Sequence, residues 1–305
     1  MPEVLNKLGM TIESVARALC GVTRGTRIPT VSQLEEICSS SRGNIQKALA
    51  SLKESGAISL EAHGQNGTLL TDIDYLAMAR ACGVSHITGA MPLPYTKRYE
   101  GLATALFTLL NTGEIRSFIT FQRGSEARIQ TLLDGSINYC VMSRLAYEEY
   151  AKRGLGISAV LDCGPLSYVG RHVLLTREGF AAGDWHGARV GIDQTSIDQS
   201  LLTESYFAGR GVTFVPVQYT HIVDMLYDGQ LDAGIWNEDD HHVRVSDIPE
   251  SELEGEAARQ DNTHAVVVVR SNDALTYQLI VTLAQVNRVR EIQQSVMNGE
   301  VPARY

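Results

Sequence analysis

The chain has 305 residues, of which 44% are hydrophobic and 20% are charged, a balance that excludes mostly disordered, collagen-like and coiled-coil proteins. This length suffices for about two domains. The net charge of −9 at pH 7 argues against a protein that coats nucleic acid over its whole surface.

The sequence gives no sign of a membrane or an oxidising compartment. No uncharged apolar run reaches the roughly 18 residues of a membrane span, and Met1 to Met10 lack a signal-peptide layout. We therefore expect cytoplasmic localisation and no membrane partner. The cysteines are odd in number and form no C-x-x-C pair, so we expect no disulfide framework, no metal and no cofactor. They are Cys20, Cys38, Cys82, Cys140 and Cys163.

The first 72 residues predict three short helices and a β-hairpin. The apolar positions from Ile12 to Leu19 have helical spacing. Thr30, followed by Gln33, is typical of a capping box at the start of a second helix, and Ser41 is placed to cap a third. Two short apolar runs flank the turn-rich segment 63–67. This order is a winged helix-turn-helix plan.

The same segment resembles the GntR-type winged-helix family. The ordered matches are GTRIP at 25–29, SRGNIQKAL at 41–49, SGAI at 55–58 and GT at 67–68. Two positions depart from the family pattern, because Gln46 replaces a usual arginine and the wing tip carries Gln65 and Asn66 where a basic residue is usual. These departures predict weaker or differently specific DNA binding.

The resemblance implies double-stranded DNA as a partner. The first turns of a recognition helix enter the major groove, and a helix N-terminus attracts phosphate. The residues expected to contact DNA are Arg27, Thr30, Ser41, Arg42, Asn44, Gln46, Lys47, Gln65 and Asn66.

The rest of the chain predicts a linking helix at 73–84 and then a two-lobed α/β domain at 85–305. Strand-like runs alternate with helical patterns, as in parallel sheets with crossover helices. The strand-like runs are 87–90, 117–121, 139–142, 157–161, 173–175, 189–192, 214–217, 233–236 and 265–269.

An internal repeat indicates two similar lobes. Leu132 to Asn138 (LLDGSIN) is echoed by Leu226 to Asp232 (LYDGQLD), and each copy precedes an apolar strand. We expect lobe I to comprise 85–165 and 265–305 and lobe II to comprise 166–264. The final helix, predicted at 275–297, should pack on lobe I.

This larger domain resembles the type 2 periplasmic-binding-protein fold, which also forms the effector domain of LysR-type regulators. With the winged helix in front, the whole chain resembles the YhfZ family of predicted transcriptional regulators. The fold class is then α/β, with an N-terminal winged helix-turn-helix followed by a periplasmic-binding-protein-like domain. In such folds a small ligand binds between the lobes.

Several polar and aromatic residues follow the predicted strands and form a candidate ligand site. Two arginines, hydroxyl groups and a carboxylate suit a small polar or anionic metabolite, either an anion or a zwitterion. Ligand-driven closure could then change the spacing of two DNA-binding heads in a homodimer. The candidate residues are Pro94, Tyr95, Arg123, Gly124, Ser125, Ser143, Arg144, Gln194, Thr195, Ser196, Tyr219, Trp236, Asn237 and Glu238.

Catalysis is not expected. The sequence has no nucleophile elbow, Walker loop or His-Glu-x-x-His motif. The glycines at 154–159 fit a dinucleotide-binding pattern, but they follow a predicted helix rather than a strand, which does not suit pyrophosphate binding. The residues 238–242 are of metal-ligand types, but we interpret them as a solvated loop. Two alternatives stay open: an enzyme or small-molecule carrier with a protein-binding winged domain, and a DNA binder whose larger domain only dimerises.

Overall fold

The computed structural model describes residues 7–181, 183–240, 248–253 and 260–305. The helices are α1 (Lys7–Cys20), α2 (Val31–Ile37), α3 (Arg42–Glu54), α4 (Tyr75–Ala81), α5 (Lys97–Leu110), α6 (Ser125–Leu133), α7 (Arg144–Lys152), α8 (Ile197–Tyr206), α9 (Ile222–Tyr227), α10 (Ala274–Leu283) and α11 (Val286–Met297). The strands are β1 (Ile58–Ala62), β2 (Thr68–Ile73), β3 (His86–Met91), β4 (Arg116–Phe121), β5 (Tyr139–Ser143), β6 (Ile157–Asp162), β7 (His172–Thr176), β8 (Arg189–Ile192), β9 (Thr213–Pro216), β10 (Ala233–Asn237), β11 (Glu250–Glu252) and β12 (Ala265–Arg270).

The chain divides into two compact units. The first unit takes the chain up to Ile87, together with Leu110–Ser117 and Ser271–Ala284. The second unit comprises Thr88–Leu109, Phe118–Arg270 and Gln285–Tyr305. No described helix has the length and apolar character needed to cross a bilayer.

The first unit contains the predicted winged helix-turn-helix. Helices α1, α2 and α3 pack together, and β1 pairs with β2 in an antiparallel hairpin. The predicted capping box of α2 is present, since Thr30 Oγ1 accepts a hydrogen bond from Gln33 N and Gln33 Oε1 accepts one from Thr30 N. The segment before α2 also bonds to β2, through a β-bridge between Arg27 and Leu69.

Helix α4 confirms the predicted helix after the wing, although it is packed rather than free-standing. Asp74 caps it by accepting hydrogen bonds from Leu76 N and Ala77 N. It packs on α1 and on α10, and α10 also contacts α1.

The prediction of one continuous helix at 275–297 is wrong. The backbone leaves the helical region at Ala284 (φ −110°, ψ 72°) and Gln285 (φ −66°, ψ 134°), which separates α10 from α11. Helix α10 belongs to the first unit and α11 to the second. Alanine and glutamine are good helix formers, so the sequence carries no sign of this break.

The second unit contains two five-stranded sheets, each the centre of one lobe. The first has the order β4-β3-β5-β12-β6, with β12 antiparallel to both of its neighbours. The second has the order β11-β7-β10-β8-β9, with β8 parallel to β9 and β10. Every predicted strand is present. Strand β11 was not predicted, because its three residues are exposed and polar and show no apolar alternation.

The two copies of the repeat make equivalent hydrogen bonds. Asn138 N donates to Thr88 O and Asn138 Oδ1 accepts from Thr88 N, at 2.8 and 2.9 Å. In the second lobe Asp232 N donates to Arg189 O and Asp232 Oδ2 accepts from Arg189 N, both at 2.8 Å. The last residue of each copy therefore anchors the strand that pairs in parallel with its own strand, β3 in the first lobe and β8 in the second.

Candidate functional site

The outward face of α3 is polar and exposed. Its inward face consists of Ile45, Ala48 and Leu52, which are buried. Of the predicted DNA-contacting residues on this helix, Arg42, Gln46 and Lys47 are exposed and Asn44 is half-buried. By the 3.6-residue helical period, Gly43 and Ala50 lie opposite the buried stripe, with Gln46 and Lys47 beside them. The centre of the exposed face is therefore small and its flanks are polar.

The remaining predicted DNA contacts lie at the helix starts and on the wing. Thr30 and Ser41 are the N-cap residues of α2 and α3, and the Ser41 side chain makes no capping bond. Arg27 and Gln65 are exposed. Residues 64–66 form a 3₁₀ turn at the wing tip, and the Asn66 side chain lies outside the part of the structure that is described.

A cavity of about 100 Å³ lies between the two lobes of the second unit. Six predicted ligand-site residues line it: Tyr95, Arg123, Gly124, Ser196, Tyr219 and Asn237. Tyr219 is fixed on two sides, since its ring stacks on Trp236 with centroids 4.3 Å apart and its hydroxyl accepts a hydrogen bond from Asn237 N. Trp236 therefore supports the cavity wall from behind rather than lining it.

Other predicted ligand-site residues have roles outside the lining. Ser143 is buried and caps α7 by accepting a hydrogen bond from Ala146 N. Arg144 pairs with Asp162, and Glu238 Oε1 accepts a hydrogen bond from Arg171 Nη2 at 2.6 Å. The residues that line the cavity do not include Pro94, Ser125, Gln194 and Thr195.

Four of the predicted residues, Arg123, Gly124, Ser125 and Thr195, take part in contacts that join the lobes. Arg123 Nη1 donates to Thr220 Oγ1 at 2.7 Å, and Ile197 N donates to Ser125 Oγ at 3.4 Å. A Cβ added to Gly124 would lie 2.6 Å from Thr195 O. These contacts join the two lobes beside the cavity, whose lining includes Arg123 and Gly124.

The lining also contains residues that the sequence analysis missed. Arg128, which is 3% exposed, donates hydrogen bonds to Val141 O, Gln122 O and Tyr168 Oη. Within the described residues no carboxylate lies within 4.0 Å of this guanidinium. The sequence held a signal for Arg128, because a charged residue stands on the buried, otherwise mostly apolar face of α6.

Besides the predicted residues, the second lobe contributes three carboxylates and an amide to the lining, namely Asp193, Asp198, Asp240 and Gln199. Asp193 accepts hydrogen bonds from Thr195 N, Thr195 Oγ1 and Tyr219 N. Asp198 lies in the first turn of α8, and the buried Gln199 follows it.

The aromatic and histidine side chains of the lining are neutral near pH 7. Burial raises the pKa of Tyr168 to about 12 and raises the pKa values of Tyr99 and Tyr219 well above 10. Burial lowers the pKa of His172. The charge of the cavity therefore comes from its arginine and aspartate side chains.

In the described part of the chain, two buried cysteines are unfavourable as nucleophiles and the acidic groups form no metal site. Burial raises the thiol pKa of Cys140 and of Cys163 to about 12, which makes a thiolate nucleophile unfavourable. Among the described residues, no group of three or more His, Cys, Asp and Glu side chains could hold a metal ion. His241 and His242 of the acidic stretch lie outside the described residues.

Comparison with known proteins gives matches over nearly the whole chain. The family model "YhfZ C-terminal domain" matches residues 74–305, and a helix-turn-helix domain model matches residues 23–70. The uncharacterized protein YhfZ of Escherichia coli (strain K12) is 34% identical over 302 residues, covering 99% of this chain and 98% of that protein.

Solved structures give the same family and the same fold. The crystal structure of YhfZ from Shigella flexneri matches with a TM-score of 0.65 and 31% identity, covering 76% of this chain and 98% of that chain. An amino acid ABC transporter substrate-binding protein from Streptococcus pneumoniae, bound to L-arginine, matches with a TM-score of 0.51 and 12% identity, covering 74% of this chain and 97% of that chain. This last likeness concerns the two-lobed fold alone.

Proposed function

Because the chain belongs to the YhfZ family and carries a helix-turn-helix domain ahead of a two-lobed, binding-protein-like domain, we propose that it is a ligand-responsive transcriptional regulator and not an enzyme. It binds operator DNA through a GntR-like winged helix and senses a small polar or anionic metabolite in the cavity between the lobes. It acts as a homodimer in the cytoplasm, where DNA is transcribed.

The observation that carries the DNA-binding half of this proposal is the exposed face of α3. Arg42, Gln46 and Lys47 are exposed, and none of them makes an ion pair with another described residue. Exposed cations and amides at the start of such a helix can reach phosphates and base edges in the major groove. The acidity of the chain lies beyond residue 71, so it does not cancel this local positive charge.

The ligand-sensing half rests on the polar lining of the cavity and on the contacts that join the lobes. A molecule that bonds to both lobes favours the arrangement in which the lobes are close together. This shift in population can change the geometry of two DNA-binding heads in a dimer. The predicted residues Tyr95, Arg123, Ser196, Tyr219 and Asn237 are in position to contact such a ligand.

The proposal is tested by fluorescence polarisation with duplex DNA from the region upstream of the protein's own gene, at two salt concentrations and against a scrambled duplex. We expect saturable binding that prefers the native duplex. The double variant Arg42→Ala/Lys47→Ala should lose this binding while keeping the circular dichroism of the native fold. Absence of binding by the wild type at low salt would overturn the regulator proposal.

A further inference from the structure

We infer that the cavity in the second unit binds the head of a small α-amino acid, with its carboxylate against Arg128 and Gln199 and its ammonium group against Asp198. This inference deepens the proposed function, because it names the chemical class of the ligand for the same cavity. It rests on unpaired donors of Arg128 in the first lobe and Gln199 in the second, together called the first wall, on an unused acceptor of Asp198, called the second wall, and on the volume of the cavity. Asp198 and Gln199 are neighbours on α8.

The first wall presents hydrogen-bond donors that lack an acceptor. The three hydrogen bonds of Arg128 go to neutral oxygens, whereas a guanidinium has five N–H groups. Gln199 is 5% exposed and its Oε1 accepts a hydrogen bond from Asp193 N at 2.8 Å, which fixes the orientation of the amide. Its Nε2 is buried with no hydrogen-bond partner. Buried donors of this kind are costly unless an acceptor meets them. A ligand carboxylate would supply two acceptor oxygens to this wall.

The second wall presents an acceptor that lacks a cation. Asp198 Oδ1 accepts hydrogen bonds from Ser196 Oγ at 2.6 Å and from Gln199 N at 3.0 Å. Asp198 Oδ2 makes no hydrogen bond with a described residue. The negative charge of Asp198 also acts on Tyr99, Tyr168 and His172, which line the same cavity. An ammonium group placed here would pair with the carboxylate and donate to Oδ2.

The balance of charge in the lining favours a zwitterion over a phosphate. The lining contains the cations of Arg123 and Arg128 and the carboxylates of Asp193, Asp198 and Asp240. A phosphate, with a charge of about −1.5 to −2, would meet more negative than positive charge. A simple carboxylate would leave Asp198 without a cation, and a simple amine would leave the donors of Arg128 and Gln199 without an acceptor.

The volume limits the enclosed part of the ligand to a small head. A protein cavity of about 150 Å³ can hold benzene, with six carbon atoms, so by the same ratio the present 100 Å³ suits about four non-hydrogen atoms. The carboxylate, Cα and amino nitrogen of an amino acid make up a head of nearly this size. Neutral tyrosine rings form part of the surrounding wall, which suits a short aliphatic side chain.

The test is isothermal titration calorimetry of the full-length protein at pH 7 with L-alanine, propionate and isopropylamine, which have nearly the same size. Glycine, L-serine and inorganic phosphate complete the series. We expect at least one of the three amino acids to bind, with L-alanine at least about tenfold tighter than propionate and isopropylamine, because each analogue leaves one wall unpaired. No binding by any amino acid, equal binding of propionate, or tighter binding of phosphate would overturn the inference.

Two near-isosteric variants test whether each wall contacts the ligand as proposed. Gln199→Glu retains the acceptor for Asp193 N but replaces the amide donor, and Asp198→Asn removes the charge while keeping an acceptor for the Gln199 N–H. Each should weaken amino-acid binding at least about tenfold, with an unchanged melting temperature of the ligand-free protein. Glu204→Gln, exposed on the same helix, should have no effect. If either cavity variant binds as the wild type does, its wall is wrongly assigned.

This experiment does not depend on the DNA titration, so the two proposals fail separately. Amino-acid binding without DNA binding would overturn the regulator proposal and leave the ligand assignment standing. DNA binding without amino-acid binding would do the reverse.

Discussion

The side chain of Arg27 lies against Gly67 of the wing, with Arg27 Cδ 3.6 Å from the position that a Cβ of Gly67 would occupy. The β-bridge between Arg27 and Leu69 fixes this register. Arg27 is exposed and makes no ion pair with a described residue. Residues 63–67 of the wing include no lysine or arginine, and Arg27 supplies a cation beside them.

We therefore predict that Arg27→Gln weakens DNA binding and reduces the slope of log K against log salt by about 0.9, the value for one lost phosphate contact. Arg24→Gln is the matched control. Arg24 comes from the same loop, but it already bonds to Thr71 O and pairs with Asp72. Fluorescence polarisation at several salt concentrations measures both slopes. Equal slopes for the wild type and Arg27→Gln would show that Arg27 does not contact DNA.

Gly43 occupies the centre of the outward face of α3, and no neighbouring atom lies within 4 Å of an added Cβ. A larger side chain there should fold normally but hold the helix away from the major groove. We predict that Gly43→Leu leaves the melting temperature equal to or above that of the wild type, since glycine disfavours helix by up to about 1 kcal/mol. DNA affinity should fall at least about tenfold, a loss of about 1.4 kcal/mol. Unchanged affinity would mean that another face of α3 meets DNA.

Gly124 permits the close approach of the two lobes. It has φ +75°, and its added Cβ would lie 2.6 Å from Thr195 O. Gly124 also has ψ 144°, a conformation that disfavours other residues by itself. Gly135 is a comparison site, also at positive φ (+84°), where the atom nearest to an added Cβ is the flexible Arg270 Nη1 at 3.8 Å. Gly135→Ala should lower the free energy of unfolding by about 1 kcal/mol, because it adds only the strain of a left-handed backbone.

Gly124→Ala should lower the free energy of unfolding in urea by more, about 2 to 3 kcal/mol. Otherwise the lobes should open, which would increase the radius of gyration in small-angle scattering. Equal unfolding free energies for the two variants, with no change in radius, would show that the contact with Thr195 is not tight in solution.

Asp232 joins the second copy of the repeat to two arginines. Its carboxylate accepts hydrogen bonds from Arg177 Nε at 2.6 Å and Arg189 Nε at 3.0 Å, and hydrogen bonding to Arg189 is the main cause that lowers its pKa well below the usual value. We predict that Asp232→Asn lowers the unfolding free energy by about 1 to 3 kcal/mol at pH 7.

The effect of this variant should depend on pH. Because the pKa of Asp232 is lower in the folded protein, its stabilisation is fully present above the unfolded-state pKa of about 4 and is lost as the pH falls toward the folded-state value. The difference between the wild type and Asp232→Asn should therefore shrink between pH 5 and pH 3 in denaturant titrations. A constant difference would mean that the charge of Asp232 contributes nothing.

The cysteines should react slowly with a thiol reagent in the folded protein. Burial raises the pKa of the Cys20, Cys140 and Cys163 thiols to about 12 and that of the Cys82 thiol to about 11. Cys38 is only partly buried. Labelling with Ellman's reagent at pH 7.5 should show one fast thiol, which Cys38→Ser removes. A second fast thiol would indicate local opening or an activated cysteine.

Local sequence patterns were sufficient to predict most of the fold. The Thr30–Gln33 capping box, the buried stripe of α3 and the apolar strands each depend on neighbouring residues or on a fixed period, so the sequence reveals them directly. The repeat ending in Asn138 and Asp232 also predicted two lobes, and both residues make the same backbone bonds in the structure. The break between α10 and α11 was missed because Ala284 and Gln285 carry no breaking signal.

The sequence by itself determined the winged helix-turn-helix, the alternation of the two-lobed domain and six of the predicted site residues that line the cavity, because these follow from periodicity, caps and strand ends. Only the tertiary structure decided which polar side chains converge. Arg128 is far in the sequence from Asp193, Asp198 and Gln199, and both Arg128 and Gln199 lie on buried helix faces that usually pack against a core. Their joint presence at one cavity depends on how the two sheets meet, which no local pattern specifies.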